Sequence, residues 1–176
     1  MNDTKKSVLV AYASWAGSTA GVAERIAEVL NRNGFAAETL RAKDVPDTSP
    51  YGAVVLGTAV HAGRPKSEAL KFVDQNRADL TSKPFAAFVV CLAMTATDEK
   101  GRAQAATYLE PVRQKVKPVC EGRFAGCYDP RKLNFVLRAI MERMKTPAGD
   151  FRKWEEIEAW AASLAPLLSN RPVTSG

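Results

Sequence analysis

Histidine and cysteine are scarce in this chain, and long apolar runs are absent. One histidine, His61, and three cysteines, Cys91, Cys120 and Cys127, make up the whole supply. With no Cys-x-x-Cys spacing they form no structural zinc set, so metal binding is set aside. Cys91 ends an apolar run and reads as a small packing residue, while Cys120 and Cys127 flank a predicted strand. No apolar stretch approaches the length of a spanning helix, and a mean hydropathy of −0.20 argues against an integral membrane protein. The opening Met1–Ser7 runs directly into a strand, without a signal core or cleavage site, which predicts a cytoplasmic protein. No nucleophile–base pair or carboxylate dyad is evident, so no catalytic side chain is assigned.

What is present is a basic chain of 176 residues with a formal charge of +6 and a pI near 9.3. The length suits one buried domain, expected over residues 1–170, with 171–176 as a flexible tail. A chain this basic meets anionic partners. Basic patches interleaved with aromatics are not seen, which ranks nucleic acid low.

The most informative residues are Ser14, Trp15, Ala16, Gly17, Ser18 and Thr19. Before them, Val8-Leu9-Val10-Ala11-Tyr12-Ala13 has the unbroken apolar character of a strand covered on both faces. After them, Ala23, Ile26, Ala27 and Leu30 recur at one-turn spacing opposite Glu24, Arg25, Glu28 and Arg32, and Gly34 stops the helix. A strand, a hydroxyl-rich turn and a helix make an anion cradle. First-turn N–H groups and the helix dipole favour negative charge, and Ser14, Ser18 and Thr19 offer hydroxyl donors. The loop has no lysine of a nucleoside-triphosphate loop and lacks Gly-x-Gly-x-x-Gly for a dinucleotide. A monophosphate held by neutral donors, such as that of flavin mononucleotide (FMN), fits it. An ordinary turn capped by Ser18 or Thr19 fits the loop alone as well.

Further strands are expected at Phe35–Leu40, with an edge-strand polar position, at Ala53–Gly57, at Pro84–Cys91 and within Glu121–Cys127. Between them lie the loop Thr58–Arg64, a helix from about Pro65, the loop Leu92–Thr97 and a polar helical stretch through Val116. A last helix spans about Trp154–Leu168. This alternation predicts an α/β three-layer sandwich: a five-stranded parallel sheet of order 2-1-3-4-5 with helices on both faces. Ligands of such a sheet bind beyond the carboxyl ends of its strands, which gathers the three loops. A phosphoacceptor receiver of the same fold needs an aspartate where this chain has Gly57-Thr58, and that reading fails.

On these residues the chain resembles the flavodoxin superfamily, whose phosphate loop reads Thr/Ser-x-Thr-Gly-x-Thr. Ser14, Gly17 and Thr19 match; Ala16 departs and removes one hydroxyl, though backbone N–H groups survive that change. More narrowly the chain resembles the flavodoxin-like, quinone-dependent protoporphyrinogen oxidases and their flavodoxin-domain relatives. Val54–Arg64, Phe124-Ala125-Gly126, the segment from Asp129-Pro130 to Met144 and Gly149–Trp154 carry that likeness. It implies FMN that passes electrons from protoporphyrinogen to a membrane quinone, in the penultimate step of haem synthesis. The ring site then comprises Thr58, Ala59, Val60, His61, Gly63 and Arg64, together with Leu92, Ala93 and Met94.

Within that site His61 is placed to stack on or hydrogen-bond the ring, or to be a polar surface residue. Arg64 is placed to neutralise reduced flavin or attract a substrate carboxylate, or to be solvated. Trp15 covers the ribityl chain or packs on the neighbouring loop, and Leu92 and Met94 form an apolar wall. With a cofactor supplying the chemistry, the protein contributes binding and electrostatics. An electron carrier without its own substrate, and a flavin-free binding protein of the same fold, are the alternatives.

Residues 131–145 add a physical signal. Leu133, Val136, Leu137, Ile140, Met141 and Met144 follow helical spacing, while Arg131, Lys132, Arg138, Arg143 and Lys145 face only Glu142. Such a helix suits lying on an anionic membrane, and equally an ordinary amphipathic helix whose stripe is buried in the domain; burial is the more expected fate of the stripe, with the cationic face still favouring a place beside the membrane.

Overall fold

Branched and small apolar residues without charge dictate the central strands. In the computed structural model, which describes residues 5–15, 17–95, 99–143 and 145–170, with backbone alone at His61 and Arg102, β1 spans Ser7–Ala13 and α1 Ser18–Arg32. They are followed by β2 (Ala36–Arg41), β3 (Ala53–His61), β4 (Arg64–Pro65), α2 (Ser67–Gln75), α3 (Arg77–Ser82) and β5 (Phe85–Val90). Then come α4 (Glu99–Ala106), α5 (Glu110–Arg113), β6 (Cys120–Phe124), β7 (Cys127–Tyr128), α6 (Phe135–Arg143), β8 (Gly149–Asp150) and α7 (Trp154–Ser169).

Five parallel strands form the main sheet in the order β2-β1-β3-β5-β6, which is 2-1-3-4-5 once the short β4 is set aside. Successive side chains of a strand face opposite ways, and here both faces are covered. Val8 and Val10 of β1 pack with Ile26 and Leu30 of α1 and with Ile157 and Leu164 of α7. Leu9 and Ala11 pack with Phe72 and Val73 of α2 and with Val112 of α5. An apolar run over Val8–Ala11 is therefore required in β1, whereas edge strand β2 tolerates Glu38 and Arg41.

Several expected boundaries are corrected. The third strand does not end at Gly57: β3 continues through Thr58, Ala59, Val60 and His61 and folds back, with His61 opposite Arg64 and Val60 opposite Pro65. Ala62 and Gly63 make the reversal at φ 49° and 74°, the left-handed pair that a tight hairpin demands. Thr58–Arg64 is thus a β-hairpin, and the next helix starts at Ser67 after Pro65 has served as a strand residue. The polar helical stretch is divided into α4 and α5. Pro111, lacking an N–H, is tolerated only in the first turn of a new helix.

The expected burial of the 131–145 stripe is also corrected. No residue of α6 is buried. The stripe splits: Leu133, Leu137 and Met141 are half-buried, while Val136 and Ile140 turn outward beside Phe135. Periodicity shows that a helix has an apolar side; it does not name what covers that side. Residue 144 and the tail 171–176 lie outside the described residues.

Candidate functional site

Register places the three loops. Ala13 pairs with Thr58 and Ala59 with Val90, so the segments after β1, around the β3–β4 turn and after β5 emerge side by side at the carboxyl edge of the sheet.

In the first segment, Gly17 precedes α1 at φ 86°, a left-handed conformation that a side chain rarely adopts. The place where its Cβ would stand is open space. The Gly17 N–H donates to Ser14 Oγ at 3.0 Å, and its carbonyl accepts from the Gly21 N–H at 3.1 Å, which closes the first helical turn. The hydroxyls divide. Ser14 is half-buried and in the turn, Thr19 is fully buried, and Ser18 Oγ accepts from the Cys127 N–H at 2.8 Å. Ser18 therefore ties the turn to β7. The helix N-terminus and Ser14 are left as its outward polar groups. Ala16 lies outside the described residues.

The second segment is the hairpin. Thr58 is buried: its Oγ1 donates to the Ala59 carbonyl at 2.9 Å and accepts from the Lys66 N–H at 3.1 Å. The same Lys66 N–H reaches the Ala59 carbonyl at 3.1 Å. Thr58 thus sets the hairpin's geometry. Gly63 and Arg64 are exposed near its tip, and Ala59 and Val60 are half-buried. His61 takes part through its backbone pairing with Arg64.

Leu92–Thr95, a single 3-10 turn, forms the third segment, with Leu92, Ala93 and Met94 half-buried. It begins at Cys91, whose Sγ accepts from the Ala93 N–H at 3.4 Å and whose thiol is pushed up by burial. Residues 96 and 97 of the expected loop lie outside the described residues.

Two cations at these loops escaped the sequence reading. Lys66 sits with its ammonium 4.8 Å from the ring centroid of Trp15, which is 56% exposed in the first turn. It also pairs with Glu68 at 3.1 Å. A turn with no basic residue of its own thereby acquires a neighbouring charge. Arg152 lies against α1, with Nη1 2.8 Å from where a Gly21 Cβ would stand and its guanidinium 4.5 Å from the Trp154 ring centroid. It chelates Asp150 at 2.8 and 2.5 Å, and these hydrogen bonds hold the Asp150 carboxyl below its ordinary range. Arg152 lies in the Gly149–Trp154 segment that carries the family likeness, but no role at the first turn was assigned to it.

An open left-handed glycine at a helix N-terminus, with neutral donors and no acidic side chain in the turn, fits a phosphate monoester. The hairpin and then the 3-10 turn follow it in order along the same end of the sheet, where a flat ring carried on that phosphate would reach them. The described residues therefore fit FMN, with Ser14, Gly17 and the start of α1 toward the phosphate.

Residues 9–153 match the model of the flavodoxin domain family. No curated protein sequence matches the chain. Among solved structures, it is similar to a short-chain flavodoxin associated with a non-canonical PDU bacterial microcompartment (16% identity, TM-score 0.61, covering 93% of this chain and 97% of that one). A flavodoxin from the domain Archaea gives 15% identity and a TM-score of 0.57, over 93% of this chain and 99% of the other. The rubredoxin oxygen:oxidoreductase of Desulfovibrio gigas gives 17% and 0.53, with 95% of this chain on 37% of that one. At such identities the likenesses show a shared fold, and it is the family model, matched over most of the chain, that assigns membership. The chain belongs to the flavodoxin domain family.

Proposed function

We propose that this chain binds FMN at the carboxyl edge of its sheet and acts as a flavin-dependent oxidoreductase. The observation that carries this reading is the neutral anion cradle from Ser14 to the start of α1, followed along the same end of the sheet by the β3–β4 hairpin and then the Leu92–Thr95 turn. FMN supplies the capacity to take up an electron pair and release it to a second partner. The protein's part is to hold the phosphate on backbone N–H groups, to bracket the ring and to set the local charge, with Lys66 and Arg64 on the hairpin side.

For substrate we infer protoporphyrinogen, with a quinone as acceptor. Electrons and protons leave the porphyrinogen in pairs, and each pair reduces one quinone to its quinol. The support is the resemblance carried by Val54–Arg64, Phe124–Gly126 and the 129–144 segment, together with a basic surface suited to a carboxylate-bearing substrate. The flavodoxin neighbours favour a second reading, an electron carrier without its own small substrate.

Titration of the purified chain with FMN, read by absorbance, tests the cofactor; no saturable binding sinks both readings. Anaerobic addition of protoporphyrinogen then separates them. Bleaching of the flavin and its recovery on adding quinone is the expected result, and a flavin that stays oxidised leaves the carrier.

A further inference from the structure

We propose that helix α6 is a docking face for an anionic lipid surface, holding the carboxyl edge of the sheet against that surface. The helix forms by local means. Asn134 Oδ1 accepts from the Leu137 N–H at 2.9 Å, satisfying an N–H that the helix leaves free, and Arg131 is chelated by Asp129 at 3.0 and 3.1 Å ahead of it. Its apolar residues nonetheless gain little cover from the domain: Phe135 is 80% exposed, Val136 50% and Ile140 48%. At 100° per residue, Phe135, Val136, Ala139, Ile140 and Arg143 share one outward arc. Lys132, Arg138, Arg143 and Lys145 are all exposed, and Glu142 is the only acid from Phe135 to Lys145.

An apolar arc that includes Arg143, with Arg138 to one side, is complementary to a surface that is apolar below and negative at its rim. It is poorly matched to a second copy of itself, because the same bases would be brought together. Among the described residues no helix is long and apolar enough to cross a membrane, so the contact is one of lying on the surface.

The base of the excursion couples the helix to the sheet edge. β7 pairs with β8, Cys127 opposite Asp150 and Tyr128 opposite Gly149. The Phe151 N–H donates to the Gly126 carbonyl at 3.1 Å, and the Cys127 N–H donates to Ser18 Oγ in the first turn of α1. A surface that receives α6 therefore lies at the end of the molecule that carries the three loops, where a lipid-dissolved reaction partner would be met.

The test uses the full flavin-free chain and co-sedimentation with phosphatidylcholine vesicles, with and without phosphatidylglycerol. Binding at least about ten-fold tighter to the anionic vesicles, weakening with salt, is expected. The double variant Arg138→Glu, Arg143→Glu changes four units of charge and should lose about several hundred-fold, at about five-fold per unit. A second pair, Phe135→Ser with Ile140→Ser, should lose about ten-fold. All four side chains are exposed, and unchanged circular dichroism verifies the fold of both variants. Equal binding to both vesicle types, or charge reversal without effect, overturns the proposal. So does a dimer that the apolar pair abolishes in the absence of vesicle binding, which would give the face to a second copy. Because flavin is left out, vesicle binding by a chain that fails to bind FMN would sink the flavin reading and leave the docking face standing.

Discussion

At the scale of single residues, Lys66 is the addition to the cradle: Trp15 was expected in that loop, the cation over its ring was not. A phosphate loop made only of neutral donors gains selectivity for a phosphorylated ligand from any fixed positive charge nearby. Lys66 is such a charge: its backbone is fixed by Thr58 and Ala59, and its ammonium rests over the Trp15 ring. Its pairing with Glu68 and the surrounding solvent reduce the effect to about 1 kcal/mol, or about five-fold in affinity. Lys66→Gln should therefore weaken FMN binding about five-fold and leave riboflavin, which lacks the phosphate, unaffected; isothermal titration with both ligands measures the difference. Equal loss for the two ligands would show that Lys66 acts only by propping the loop. Neither Lys66 nor Arg152 was legible as a site residue. Each reaches the first turn from another part of the chain, and charge on a surface helix or loop gives no clue to its tertiary neighbour.

Among elements, β3 shows how packing transmits to the site. Gly57 lies opposite Phe88 of β5, and a Cβ there would stand 2.1 Å from the phenyl ring. That ring cannot retreat, being fully buried and packed against a tilted Phe124 and an edge-on Trp160 at centroid distances of 6.1 and 5.9 Å. Gly57→Ala should cost about 3 kcal/mol in urea unfolding, the upper part of the usual overpacking range. The residue immediately precedes Thr58, so the hairpin geometry should suffer with it. The β7–β8 clamp carries an acid-sensitive bond. Hydrogen bonds from Arg152 depress the Asp150 carboxyl below the ordinary aspartate value of 3.8. A depressed carboxyl adds stability that is fully present above the unfolded value and is lost as pH falls through the folded one. Acid titration followed by circular dichroism should therefore show the wild type losing its advantage over Asp150→Asn only below about pH 4. An advantage that persists unchanged at lower pH would place the clamp's strength elsewhere. The strands of the parallel sheet could be read in the sequence because burial on both faces forces a continuous apolar run. The hairpin could not, since Ala62 occupies a turn position where asparagine or glycine would have announced it.

For the whole molecule, strand order and the gathering of the three loops at one edge follow from alternation of strand and helix, and both were legible. The orientation of the 129–148 excursion was not. An amphipathic pattern records a division into two sides, and the fold alone decides which side meets protein. The placement of the three tryptophans has a practical consequence. Trp15 stands exposed in the first turn beneath a lysine, Trp154 has the guanidinium groups of Arg25 and Arg152 over its ring, and Trp160 completes a three-ring cluster with Phe88 and Phe124 while its indole N–H donates to the Glu121 carbonyl. Each indole thus occupies a different electrostatic setting: one in the turn after β1, one at the seam between α1 and α7, and one half-buried against the core. The emission spectrum of the chain is a three-channel optical record, in which occupation of the loop, opening of the seam and melting of the core can be followed apart without adding a label.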